Sequence, residues 1–319
     1  MRPRSVPLLL LSGLFLPLIA PAQTPQAAPP TTPPAQAPYT LHIPVNEISL
    51  TFHAAEANGK PLTHLTTRDL TLSDNGKAQN HIVLLQSFED LPIRAGFLFD
   101  ISNSMLGEVE FNRSIIRTYA SRLLRKGYDR AFVELFDTEP LVTQGWTDDD
   151  SLIAIGAAKV QAREDHLPAT AIFDTLYATC RDQWKPDPDA PTGNFILVFT
   201  DGIDDASHAY LSEAVDMCQR TRTAIYAVVN NRKSPFSAGQ RTLEALVQQT
   251  GGRLFFNPQG HEILEDLEIM EAEQRNQYRL VYKPSNFKAD SSFHRIKLQC
   301  SVPGARITIR SGYYAFARP

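Results

Sequence analysis

Three apolar runs, at positions 95–99, 195–200 and 224–229, show no alternation of polar and apolar residues. A strand with one wet face alternates with period two, so an unbroken apolar strand must be covered on both faces. The intervening segments have helical period. Positions 108–126 set Phe111, Ile115, Tyr119 and Leu123 four apart, and 151–160, 171–184, 210–221, 241–250 and 261–275 read as further helices. Strands at 131–136 and 253–256 and an antiparallel edge at 140–146 complete the pattern. Together they predict a doubly wound α/β fold, a mainly parallel sheet flanked by helices. In such sheets ligands bind beyond the C-terminal strand ends, where strand order reverses.

The flanks have a different texture. Leu41, Ile43 and Val45, then Ile48, Leu50 and Phe52, alternate with polar residues, as do Leu70/Leu72 and Ile82/Leu84, with turn signals at Asn58-Gly59 and Asp74-Asn75-Gly76. The tail repeats this at 278–282, 293–300 and 306–310. Sheets of two or three strands are marginal alone. The N-terminal strands (39–90) and C-terminal strands (276–319) are therefore expected to join into one small β-sandwich, with the α/β domain (91–275) inserted between them.

The first residues predict export. Arg2 and Arg4 precede a short apolar stretch at 7–19, and Ala20-Pro21-Ala22 offers small residues for cleavage, so 1–22 reads as a signal peptide. The stretch is shorter than the roughly 20 residues a membrane span needs, and Pro17 interrupts it, so no transmembrane anchor is expected once the signal is removed. Positions 23–38 are Pro, Ala, Thr and Gln without a bulky apolar residue, an extended linker. Periplasmic, cell-envelope and released forms are all compatible with this leader. A net charge of −4 gives no basic field for nucleic acid. Of the cysteines, Cys180, Cys218 and Cys300, the odd count leaves one unpaired. All three sit in apolar segments and read first as buried hydrophobes, with a Cys180–Cys218 bridge left open.

The chemistry lies where two apolar strands stop. The first ends in Asp100-Ile101-Ser102-Asn103-Ser104, one carboxylate and two hydroxyls in a strand-to-helix loop. Such oxygens suit a hard cation, Mg2+ foremost, with Mn2+ or Ca2+ left open. The second strand ends in Thr200-Asp201-Gly202, and Thr170 stands at the head of a predicted helix.

These three pieces resemble, in order and spacing, the metal-ion-dependent adhesion site of von Willebrand factor type A (VWA) domains. The resemblance covers roughly 91–275 and implies a five-residue metal site of Asp100, Ser102, Ser104, Thr170 and Asp201. Ser102, Ser104 and Thr170 would be direct ligands, and the carboxylates would act directly or through water. Pro168 stands where the family usually has Gly, which sets Thr170 apart from the other four. The flanks, with Gly59-Lys60-Pro61-Leu62 and the Arg310-Ser311-Gly312-Tyr313-Tyr314 strand, resemble VWFA-related proteins of the acidobacterial type. This second resemblance adds organisation and no activity; the adhesion site, with a weakly neutralised cation and an open position, is expected to serve adhesion or envelope assembly by accepting an Asp or Glu carboxylate of a protein partner.

Other chemistries fit less well. An aspartyl phosphotransferase needs an acid two residues after its nucleophile, and Ser102 occupies that place. No phosphate-binding Gly-x-x-x-x-Gly-Lys motif or Gly-x-Ser-x-Gly elbow occurs. The expectation is a binding protein and not an enzyme; a structural envelope scaffold with a merely stabilising cation is the alternative, and a magnesium-dependent phosphoryl-transfer enzyme comes behind it. Asp204 and Asp205 are expected to cap the following helix, Asp148-Asp149-Asp150 to lie at a helix N-terminus, and His166 to be a loop histidine. His261-Glu262 lacks the second His of a zinc protease.

Overall fold

The computed structural model describes residues 47–160, 169–185, 190–229, 237–256, 260–285 and 287–316. The signal peptide, the linker, the alternation at 41–45, His166 and Pro168 lie outside the described residues.

The chain enters through β1 (Ile48–Ala55), β2 (Leu70–Asp74), β3 (Lys77–Gln79) and β4 (Ile82–Phe88). The turn from β2 to β3 has Asn75 and Gly76 both at positive φ, 47° and 77°, as an Asn-Gly hairpin requires. The α/β part follows: β5 (Ile93–Asp100), α1 (Val109–Arg122), β6 (Arg130–Phe136), β7 (Pro140–Thr147), α2 (Asp150–Ala158), α3 (Ile172–Gln183), β8 (Gly193–Phe199) and α4 (Leu211–Arg220). It continues with β9 (Thr223–Val229), α5 (Ala238–Thr250), β10 (Leu254–Phe256) and α6 (Gly260–Arg275). The chain leaves through β11 (Gln277–Tyr282), β12 (Phe293–Cys300), β13 (Arg306–Ile309) and β14 (Gly312–Tyr314).

The central sheet has the order β10-β9-β8-β5-β6-β7, parallel except for β7, which runs antiparallel to β6 at the edge. The missing alternation in its strands now has its cause. Phe97, Phe99, Leu197 and Phe199 face one cluster with Ile116, Tyr119 and Leu267 of α1 and α6. Leu98, Ile196 and Val198 face another with Leu176, Val215 and Leu246 of α3, α4 and α5. Phe97 and Phe195 are fully buried, and truncating either to Ala should cost about 3–5 kcal/mol.

The outer strands form two antiparallel sheets, β13-β1-β11-β4 and β14-β12-β2-β3. Leu50, Phe52, Leu72, Leu280, Leu298 and Tyr313 share the core between them, so the expected sandwich of N- and C-terminal strands is present. Asp74 of β2 joins the two sheets by accepting hydrogen bonds from the hydroxyls of Tyr282 (2.7 Å) and Tyr313 (2.9 Å). Among the described residues no helix is long and apolar enough to cross a membrane.

The cysteines depart from the first reading. Cys180 of α3 and Cys218 of α4, both fully buried, form a disulfide, while Cys300 is free and half-buried. Facing helices brought the two thiols together, a relation that neither local segment announces.

Candidate metal site at the switch point

From β5 the chain crosses through α1 to β6 on one side, whereas β8, on the other side of β5, leads through α4 to β9. Strand order therefore reverses between β5 and β8, and the crevice above their C-terminal ends is where such a sheet takes ligands. Asp100 is the last residue of β5, and Asp201 follows β8 by two residues.

The loop after β5 folds around its own carboxylate. The Ser102 amide donates to Oδ1 of Asp100 at 2.9 Å, and the Ile101 amide is bonded to the Phe136 carbonyl of neighbouring β6. Residues Asn103–Met105 then form a single tight helical turn, closed by the Met105 amide on the Ser102 carbonyl. This turn sets the Ser102 and Ser104 hydroxyl oxygens 3.1 Å apart. Asp100 and Ser102 are buried, while Ser104 is exposed, so the hydroxyl pair opens the site to solvent on one side.

Thr200 completes the floor. Its buried hydroxyl donates to Oδ2 of Asp100 at 2.7 Å and accepts from the Gly202 amide at 3.2 Å. Asp201 is half-buried, and its Oδ1 accepts from the Ile203 amide. Burial pushes the Asp100 carboxyl above the ordinary carboxylate range. The bonds from Ser102 and Thr200 pull it back, and the negative charge of Asp201 pushes it further up. None of the groups acting most strongly on Asp100 is a cation. The desolvated Asp100 thus feels a second carboxylate and no strongly acting cation, a repulsion that a bound cation would relieve.

Thr170 is buried two residues before α3. Its amide donates to Oδ1 of Asp205 at 2.7 Å, and its carbonyl accepts from the amides of Asp205 and Ala206. The next residue, Ala171, donates its amide to the Asp137 carbonyl just past β6. Thr170 is thereby tied to the loop after Asp201 and to the end of β6. Among the described residues no hydrogen bond joins it directly to Asp100, Ser102 or Ser104. The structure bonds Ser102 to both Asp100 and Ser104, sets the charge of Asp201 beside Asp100, and holds Thr170 at the same sheet edge through its loops.

Asp204 and Asp205 act differently from the sequence expectation. They do not cap α4, whose first amide side is served by Glu213 bonded to the Tyr210 amide. Asp205 holds Thr170, and Asp204 accepts from the Phe173 amide at the start of α3, some thirty residues earlier, and from the hydroxyl of Ser207 in its own loop. Sequence reading could not see this because the partner segments meet only in the folded sheet. Thr200 was passed over in the same way; its place just after an apolar strand and before Asp201 was the available signal. Asp149 does cap α2, accepting from the Ser151 and Leu152 amides.

Among the described residues no three His, Cys, Asp or Glu side chains gather as a metal cage. A cation here would depend on hydroxyl oxygens and water as well as carboxylates, a donor set suited to a hard ion.

No family model matches the sequence, and no curated protein matches it. Similar solved structures include a von Willebrand factor type A protein from Catenulispora acidiphila, at 12% identity and TM-score 0.45 over 77% of this chain and 72% of that one. Another is the conserved hypothetical protein BatB from Bacteroides thetaiotaomicron, at 15% identity and TM-score 0.44 over 56% of this chain and 99% of that one. A third is proximal thread matrix protein 1 from the mussel byssus with a zinc-occupied adhesion-site motif, at 15% identity and TM-score 0.48. That match covers 63% of this chain and half of the mussel protein. All three likenesses are remote.

Proposed function

We propose that this chain is an exported, metal-dependent protein-binding module of the VWA kind, built for adhesion or envelope assembly. The observation that carries the reading is the buried, unneutralised Asp100 beside Asp201, with the Ser102 and Ser104 hydroxyls 3.1 Å apart at the open side. In this reading Ser102, Ser104 and Thr170 offer neutral oxygens, and Asp100 and Asp201 act directly or through water. Bound there, a divalent cation, Mg2+ in preference to Mn2+ or Ca2+, supplies a Lewis-acidic point with open positions for an Asp or Glu carboxylate of a partner protein. Thr200 keeps the Asp100 carboxylate aimed at the crevice, and the exposure of Ser104 leaves room for the partner.

Binding is favoured over phosphoryl transfer because Ser102 stands where the general acid of an aspartyl phosphotransferase would be. The test is calorimetric Mg2+ titration of wild type and Asp100→Ala, followed by capture from envelope extract with Mg2+ or EDTA. Loss of both cation and captured partner in the variant supports the reading. A cation that binds while the captured set is indifferent to EDTA and to the mutation would favour a structural scaffold. Metal-dependent turnover of phosphate esters that vanishes in Asp100→Ala would favour an enzyme.

A further inference from the structure

A second cavity, of about 360 Å³, lies at the opposite, N-terminal edge of the parallel sheet, where β1 and β13 of the sandwich meet the start of β9 and the ends of α4 and α5. Its size is that of a small-molecule site. Its walls include Ser49 and Thr51 of β1, Arg220 and Arg222 at the α4–β9 junction, Glu273 of α6 and Arg310.

The charges of this cavity do not balance. Asp216 on its wall is paired with Arg220 at 2.7 Å, and Glu273 is paired with Arg253. Arg222 is half-buried on the same wall and has no acidic partner among the described residues. Arg279 lies across the strand pair from Thr51 and donates from Nε to the Ser49 hydroxyl at 3.3 Å. It too has no acidic partner among the described residues. Arg310, also on the cavity wall, donates to the Ser49 carbonyl at 3.0 Å, so two guanidinium groups meet Ser49 while Arg222 faces the same cavity. Burial lowers the Arg222 guanidinium from its ordinary value, and the like charge of Arg279 lowers it further. The carbonyl ends of α4 and α5 favour a cation here by about 0.3–1 kcal/mol, too little to account for guanidinium groups set side by side.

The backbone makes the same point. Arg222 follows the end of α4 with φ at 56°, in the left-handed region. At this position Gly is the residue of least strain, and another residue costs about 1 kcal/mol. A long cationic side chain is kept at a place where the backbone would prefer none, and that side chain lines the cavity.

We propose that this cavity binds a small organic anion of the carboxylate or phosphate class, held by Arg222 with the hydroxyls of Ser49 and Thr51 as further partners, while Arg279, bonded to Ser49 from outside the lining, adds positive charge. Guanidinium groups match both oxyanions with paired N–H donors. The site is independent of the metal site at the other edge of the sheet.

The test uses the full chain in calorimetric titration and thermal unfolding with citrate and with glycerol 3-phosphate. Glycerol is the uncharged control, and sodium chloride matches ionic strength. Saturable binding of either anion, with a rise in Tm absent from both controls, is the expected result, and which anion binds assigns carboxylate or phosphate. Arg222→Gly relieves the backbone strain and should fold at least as stably as wild type while losing about tenfold or more in anion affinity. Arg279→Gln should lose affinity by a smaller factor, and Mg2+ titration should be unchanged in both. A Tm rise that only tracks ionic strength, absence of saturable binding, or undiminished affinity in Arg222→Gly would overturn the proposal.

Discussion

The hydroxyl of Thr200 donates a 2.7 Å hydrogen bond to Oδ2 of Asp100, joining two residues 100 positions apart across the paired strands β5 and β8. The bond is buried at both ends and holds one oxygen of the carboxylate in place. Thr200→Val keeps the shape and removes the donor. A bond to a charged group contributes about 1.5–3 kcal/mol, so Mg2+ affinity should fall by about one order of magnitude or more, read by calorimetry. Unchanged affinity would show that Thr200 plays no part in orienting Asp100.

Gly202 has φ of 80°, and a Cβ built there would lie 2.4 Å from the Gly239 carbonyl oxygen of α5. Both the backbone conformation and the close approach exclude a side chain. Gly202→Ala should therefore destabilise the protein by more than about 1 kcal/mol and shift Asp201, its neighbour, so that cation affinity falls with stability. Denaturant unfolding and metal titration on the same sample check both parts.

The Cys180–Cys218 bridge clips α3 to α4 and closes a loop of 38 residues. Constraint of the unfolded chain by such a loop is worth about 2–4 kcal/mol. Cys180→Ala with Cys218→Ala should lose that amount in urea unfolding. Reductant should lower the wild-type midpoint and leave the double variant where it is. A midpoint that reductant moves equally in both proteins would show that the bridge is not the source.

Burial pushes the Glu134 carboxyl of β6 up to about 7, although the Thr179 hydroxyl, bonded to it at 2.6 Å, pulls the other way. The folded state therefore holds this proton more tightly than the unfolded chain. Its contribution to stability is fully present below the ordinary glutamate value near 4.5 and is lost as pH rises through about 7. Glu134→Gln keeps an acceptor for Thr179 and should remove this decline, gaining up to about 3 kcal/mol at pH 8. Unfolding curves across that pH range decide it; parallel profiles for the two proteins would reject it.

The two carboxylates of the candidate site were legible because each ends an unbroken apolar strand, and such a run reports burial on both faces from local residues alone. The hydroxyls at Ser102 and Ser104 were legible from spacing. Thr200 was not, since a Thr at a strand end is ordinary until the neighbouring strand is known. Sequence proximity, the only local guide to a cap, points Asp204 and Asp205 to the nearer helix, and the fold gives them to the start of α3 instead.

By itself the sequence determined a doubly wound sheet, a sandwich made from both flanks, and a carboxylate at the end of each of two strands. Periodicity and turn chemistry are properties of neighbouring residues, and they carry that much. Only the tertiary structure decided that β8 lies beside β5, that Cys180 meets Cys218, and that Arg222 and Arg310 line one cavity. Each of those relations depends on strand order and helix packing between segments distant in the chain, where free energy is gained by the assembled core and no local pattern records the partner.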